Sequence, residues 1–253
     1  MFFSQKLKKF KNLKHCFFSR NGGVSESVFK SLNCGTASHD DKGNVLRNLE
    51  IVSQSIGCKN ENLITLNQIH SNKVIYFGER HLIKNKLTGD AIVTKINKVG
   101  IGVLTADCVP IFFYDPKNEV IGCIHSGWKG ALNGILTNTV DKFIGLNSKT
   151  ENIIAAIGPC IKKNNYEVEI DLYEKFISKN KKNNIFFEKK DKNKFLFDLR
   201  GFINNELQNL NIKQIENIEI DTFSKKNTFF SYRRSLFDKE KDYGRCISVI
   251  LMT

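Results

Sequence analysis

The stretch Thr105–Gly134, TADCVPIFFYDPKNEVIGCIHSGWKGALNG, decides how this 253-residue chain is read. It holds two apolar runs, Ile111–Tyr114 and Val120–Ile124, separated by Asp115-Pro116-Lys117-Asn118. Pro flanked by Asp and Asn is turn chemistry, so the runs are expected to pair as an antiparallel hairpin. The start of one strand then lies beside the end of the other. Cys108 stands just before the first run and His125 ends the second, so the two would meet at one edge of the sheet. A thiolate beside an imidazole suits a zinc ion or an activated cysteine nucleophile.

Working outward, Asn44–Ile56 places Val45, Leu46, Leu49, Val52 and Ile56 on one helical face, with Gly57 as a stop. Ala131–Ile144 does the same with Leu132, Ile135, Leu136, Val140 and Phe143. Asp171–Ser178 reads as a short N-capped helix and Leu199–Leu210 as another. The strand candidates are 15–19, 73–77, 91–94, 100–104, 111–114, 120–125, 153–157, 216–220 and 247–251. Helices interspersed with hairpins predict a mixed-sheet α/β or α+β architecture. None of the three prolines marks a linker, so residues 1–253 are expected to form one domain. The polar segment Lys179–Lys194, around Ile185-Phe186-Phe187, is expected to be an exposed, mobile insertion.

Composition narrows the function. The chain is 41% hydrophobic with 20 Phe, enough for wide apolar layers, yet no run approaches the ~18 residues of a membrane span. The basic N-terminus lacks a long apolar segment and a cleavage site, so a secretory signal is not expected, and an organelle-targeting peptide is disfavoured. The seven cysteines are odd in number and irregularly spaced, which argues for buried thiols in a reducing cytoplasm rather than a disulfide framework. The net charge of +13 is spread along the chain and mixed with Asn, without a basic stripe or a nucleic-acid module. It can still attract small phosphate-bearing molecules.

Asn67-Gln68-Ile69-His70 precedes the strand at 73–77, so His70, Cys108 and His125 all fall at strand ends or loops. A His/Cys/His set is what a catalytic zinc uses, with a fourth position left for water or substrate. Asp90 and Asp107 flank apolar strands, where turn or cap chemistry is as good a reading as catalysis. Asp107 is a candidate to orient a ligand histidine. The glycine-bearing His125-Ser126-Gly127-Trp128-Lys129-Gly130 opens a helix whose N–H groups could hold an anion. Arg is scarce beside Lys, and Arg20, Arg233 and Arg245 are the candidates for holding phosphate, with Arg233 preferred.

Ten segments, in order, carry a resemblance that spans nearly the whole chain. They are 20–25, 31–33, 67–70, 89–91, 105–110, 125–130, 157–161, 166–168, 230–234 and 244–245. Together they resemble the bacterial YfiH/YlmD family, described both as laccase-like multicopper polyphenol oxidases and as purine nucleoside phosphorylases. The resemblance implies a four-layer α/β/β/α sandwich. It implies that His70, Cys108 and His125 bind a metal, zinc rather than copper, at the floor of a nucleoside pocket. It implies phosphorolysis of adenosine, inosine, guanosine and methylthioadenosine, with some adenosine deamination. The expected partners are a purine nucleoside and inorganic phosphate, without nucleic acid or membrane, for a monomer or small homo-oligomer. The expected catalytic set is Cys108, His125, Asp107 and Arg233, with Arg20, Asn33, Arg233 and Arg245 on the substrate. Departures from the family's pattern fall at Ser126, Lys129, Asp221 and Ser235.

Two other chemistries remain open. Cys108 and His125 could serve a cysteine hydrolase, such as a deamidase, a peptidase or an editor of peptidoglycan precursors. Copper-dependent phenol oxidation would need more histidines than the five present, of which His15 and His39 lie early in the chain and His81 in a polar loop.

Overall fold

A computed structural model describes residues 1–78 and 87–253, so His81, expected in a polar loop, lies outside the described residues. In chain order the strands are β1 (Leu13–Phe17), β2 (Leu63–Thr65), β3 (Val74–Phe77), β4 (Ala91–Thr94), β5 (Gly100–Thr105), β6 (Val109–Asp115), β7 (Val120–Ser126), β8 (Ile154–Ile157), β9 (Glu167–Glu169), β10 (Phe187–Lys189), β11 (Lys194–Phe197), β12 (Gln214–Asn217) and β13 (Cys246–Met252). The helices are α1 (Lys42–Ile56), α2 (Trp128–Leu132), α3 (Ile135–Ile144), α4 (Ile170–Lys179), α5 (Leu199–Asn209) and α6 (Tyr232–Phe237).

The hairpin forms as the turn chemistry predicts. Asp115 accepts from the Lys117 and Asn118 backbone N–H groups, and β6 pairs with β7 antiparallel from Asp115↔Val120 to Val109↔Ser126. Pro110 lies opposite His125, so Cys108 emerges one residue beyond the register. The sheet order is β12-β8-β6-β7-β4-β3, which makes the hairpin central. Cys108 and His125 therefore meet at the ends of two middle strands, not at a lateral edge. A second sheet, β1-β13-β5-β2, packs against the first.

Every residue of β6 and β7 is buried, because both faces of this sheet are covered. Phe112, Tyr114, Ile121 and Cys123 join Phe17, Ile101 and Ile250 of the second sheet in an inter-sheet core. The alternate residues Ile111, Phe113 and Ile124 face Leu136, Phe143 and Phe202 of α3 and α5. On the far side, Val52 and Ile56 of α1 cover Cys16, Val249 and Leu251. The result is the expected mixed α/β sandwich of four layers. Each fully buried aliphatic or aromatic side chain contributes about 2 kcal/mol from area removed from water.

Several local expectations are corrected. The helix expected over 131–144 is two helices, because Gly134 adopts a left-handed φ of 84° and breaks the run between α2 and α3. Helix α4 begins at Ile170 after Glu169, with no side-chain cap. The strand expected at 216–220 lies at Gln214–Asn217, and the Glu216 carboxylate instead accepts from Ser4, Gln5 and Lys6. The segment 179–194 is not a loose insertion. Ile185 is exposed, but Phe186 and Phe187 are buried, with Phe187 stacked on Phe197 at 4.4 Å and Phe186 against Phe202. Two buried rings order a chain segment that its lysines and asparagines would leave in water.

Candidate active site

Three elements converge on the hairpin's open end. His125 is the penultimate residue of β7, Cys108 precedes β6, and His70 sits in the loop before β3 with a left-handed φ of 57°. The ligand atoms of the three residues lie within 4.8 Å of one another, and Cys108 Sγ is 3.9 Å from His70 Nε2. This is the one such cluster among the described residues. His125 is buried, Cys108 half-buried and His70 exposed, so the group opens to solvent on one side.

The buried carboxylate that organises the cluster is Asp90. It accepts from His125 Nδ1 at 2.9 Å, from the His70 backbone N–H at 3.0 Å, and from the Ser71 N–H and hydroxyl at 2.6 and 2.7 Å. Burial alone would raise its pKa, but the bonds from His125 and Ser71 outweigh burial and hold it at about 2. Asp90 thus fixes the His125 ring with Nε2 free to ligate, and shapes the loop that presents His70. Burial disfavours charge on His125 and Cys108. Their mutual attraction and the Asp90 bond prevail, pushing the imidazole up and the thiol down.

The role of orienting a ligand histidine, expected of Asp107, belongs to Asp90. Asp107 is buried, has a φ of 85°, and accepts from Thr222 Oγ1 (2.6 Å), Ser231 Oγ (2.8 Å) and the Arg233 backbone N–H (2.7 Å). It ties the Cys108 loop to the start of α6. Burial pushes its pKa up against those three donors.

Gly127 lets the chain approach the cluster closely. A Cβ there would lie 3.0 Å from Cys108 Sγ and 3.0 Å from His70 Cδ2. The donor set suits zinc: bonds of ~2.0 Å to nitrogen and ~2.3 Å to sulfur at tetrahedral angles put donor atoms roughly 3.3–3.5 Å apart, so the cluster, within 4.8 Å here, would contract around an ion. His15 is buried and accepts from the Ser4 N–H, and His39 pairs with Asp242, so neither supplies a second metal centre.

The cluster stands where two clefts adjoin. One, of about 210 Å³, reaches Gly35, Gln68, Tyr243 and Arg245. The other, of about 440 Å³, reaches Trp128, Tyr166, Asp171, Lys175 and Arg233. His70, Ala106 and Cys108 line both. Each arginine lies over a tyrosine ring, Arg245 over Tyr243 at 4.4 Å and Arg233 over Tyr166 at 5.6 Å.

Two expected substrate residues are placed elsewhere. Arg20 donates to the carbonyls of Lys30, Lys226 and Val28 and lies over Phe230, so it lines neither cleft and clamps a loop instead. Asn33 is fully buried. Its Oδ1 accepts from the Gly35 and Arg245 N–H groups and its Nδ2 donates to Ser38 and Asp40, so it acts through Arg245 and the 35–40 loop. Sequence reasoning missed Tyr243, Tyr166, Trp128 and Lys175. Trp128 and Tyr166 lay within quoted motifs, and Tyr243 directly precedes Gly244-Arg245; their short-range setting gives no further sign of a cleft.

Fold and site define a layered α/β protein with an open His/Cys/His centre. Residues 14–253 match the family model described as multi-copper polyphenol oxidoreductase laccase, and the chain belongs to that family. It is 34% identical over 238 residues to a purine nucleoside phosphorylase of Rickettsia conorii, covering 92% of this chain and 98% of that protein. A purine nucleoside phosphorylase of Haemophilus influenzae is also 34% identical, over 95% of this chain and 94% of its own. Among solved structures, Bacillus licheniformis YfiH superposes with a TM-score of 0.88 at 28% identity, covering 95% of this chain and 93% of that one.

Proposed function

We propose that the chain is a zinc-dependent purine nucleoside phosphorylase, acting on adenosine, inosine, guanosine and methylthioadenosine, with adenosine deamination as a side activity. The observation that carries this reading is the three-donor cluster placed between two clefts that each hold an arginine. The names of the relatives point the same way. The free, largely buried thiols favour a reducing cytoplasm as its place of work, as a monomer or small homo-oligomer.

In phosphorolysis a phosphate oxygen forms a bond to C1′ while the C1′–N9 bond breaks. The electron pair leaves with the purine, which takes up a proton, giving ribose 1-phosphate and the free base. The sugar passes through an oxocarbenium-like state, as in glycoside hydrolysis. Bringing two reactants together in line is itself worth several kcal/mol. Zinc on His70, Cys108 and His125 would supply Lewis-acid polarisation at the base. Asp90 keeps His125 in one tautomer and one orientation. Asp107 holds Cys108 and Arg233 in fixed relation, as a positioning residue. Arg233 and Arg245 offer guanidinium groups from opposite sides.

Incubation of the pure protein with adenosine, with and without phosphate, tests the reading. Adenine and ribose 1-phosphate in equal amounts, only with phosphate, support it. Inosine alone would leave deamination, and no turnover of any purine nucleoside would refute it. A second reading, a cysteine hydrolase, is favoured by the 3.9 Å approach of Cys108 Sγ to His70. In that case removing zinc would raise the activity and speed alkylation of Cys108, whereas phosphorolysis would be lost.

A further inference from the structure

The two clefts differ in charge as well as size. Among the described residues, Arg245 is the charged side chain of the smaller one and no carboxylate lines it. Asp242 forms a long ion pair with Arg245 at 4.0 Å and accepts from the His39 N–H, with its ring also in reach. The larger cleft is lined by Asp107, Glu167, Glu169 and Asp171 against Arg233 and Lys175. Asp107 is committed to its three donors, and Glu167 to Lys190 and Lys194, which leaves Glu169 and Asp171 facing the two cations. A phosphate dianion is repelled by carboxylates and attracted by a guanidinium fork, and Arg245 meets Asp242 only at 4.0 Å, outside the cleft lining. The larger cleft suits a neutral molecule: at about 440 Å³ it lies in the range of small-molecule sites, with Trp128, Tyr166 and Leu172 as apolar walls and acids to accept hydroxyl protons.

Gly35 adds a second observation. A Cβ there would lie 2.9 Å from Arg245 Cδ and 3.2 Å from Arg245 Nη1, so the backbone turn is closed directly onto the arginine. Asn33, fully buried, accepts from both the Gly35 and the Arg245 N–H groups. Arg245 is thereby held in place before any ligand arrives, as a preorganised anion site needs.

We propose, building on the phosphorolysis reading, that the reactants occupy the two clefts that adjoin along His70, Ala106 and Cys108, so that a phosphate oxygen and C1′ meet over this shared lining. Inorganic phosphate lies in the smaller cleft on Arg245, and the purine nucleoside lies in the larger cleft against Trp128 and Tyr166. This reverses the expectation from sequence that Arg233 is the main phosphate group. Arg233, drawn over Tyr166 and anchored through its backbone to Asp107, borders the nucleoside.

Trp128 is the chain's single tryptophan, which makes the test direct. Adenosine titrated into the zinc-loaded protein without phosphate should quench its fluorescence, and inorganic phosphate alone should leave it unchanged. Arg245→Gln should raise the KM for phosphate at least tenfold and move the adenosine quenching curve less than threefold. Gly35→Ala, which keeps the charge but displaces it, should raise the phosphate KM in the same direction. Quenching by phosphate but not by adenosine would overturn the assignment. So would a tenfold loss of phosphate affinity in Arg233→Gln with none in Arg245→Gln. Failure of the phosphorolysis reading shows separately, as wild-type protein that releases no adenine in the presence of phosphate.

Discussion

Gly127→Ala is the sharpest small perturbation of the site. The backbone at 127 has φ −78° and ψ 170°, a conformation open to alanine, so the chain itself is not strained. The cost falls on two side chains. The new methyl would sit 3.0 Å from Cys108 Sγ and 3.0 Å from His70 Cδ2, where ordinary contact is about 3.5–4.0 Å. Relief requires each ligand to retreat by a few tenths of an ångström, more than the ~0.2 Å tolerance of a metal–ligand bond. Overpacking of this kind costs about 1–3 kcal/mol, which corresponds to a metal affinity about 5- to 150-fold weaker. The assay is competition for zinc against a chromogenic chelator, with thermal unfolding of the zinc-free protein alongside. The zinc-free Tm should fall by only a few degrees, because an unliganded cluster can splay. Zinc affinity within twofold of wild type would show that the three side chains do not close around an ion here.

Other perturbations separate the layers of the site. Asp90→Asn leaves the His125 ring without its anionic acceptor, and zinc affinity should fall about 10- to 100-fold, read by the same competition. Ser126 is buried with its hydroxyl unpartnered, so Ser126→Ala should stabilise the fold by about 1 kcal/mol in urea titration; a loss of that size would mean the hydroxyl has a partner. Burial holds the His15 imidazole down at about 4, against an ordinary value near 6.5. The unfolded chain therefore binds the extra proton first, and stability is full above pH ~6.5 and declines as the pH falls toward 4, by about 2 kcal/mol at pH 5. Urea midpoints measured from pH 8 to pH 4.5 should show this decline, and it should be missing in His15→Gln.

The hairpin carried most of what was legible. Apolar runs at 111–114 and 120–124 with a Pro-bearing turn fix pairing and register locally, so Cys108 and His125 meet for reasons contained in twenty residues. His70 was harder, because its approach depends on Asp90, which bonds the 69–71 loop from the residue before β4. Beside Gly89, Asp90 reads equally well as a turn residue, and only burial reveals how many donors it satisfies. The same blindness sent Asp107 to the wrong partner: Thr222 and Ser231 lie more than a hundred residues away. Arg20 illustrates the reverse error. A scarce guanidinium was read as a ligand group, but three backbone carbonyls take its donors. The segment 179–194 misled through composition, since two phenylalanines outweigh many lysines once Phe197 and Phe202 are placed beside them.

X-ray absorption at the zinc edge of the purified protein addresses the metal centre without intermediaries. The expected first shell has two imidazole nitrogens near ~2.0 Å and one sulfur near ~2.3 Å, with a remaining light-atom position. The sulfur should vanish in Cys108→Ser, and adding adenosine should alter the light-atom contribution. A protein that carries no stoichiometric zinc, or whose zinc shows no sulfur neighbour, would contradict the placement of a metal on His70, Cys108 and His125.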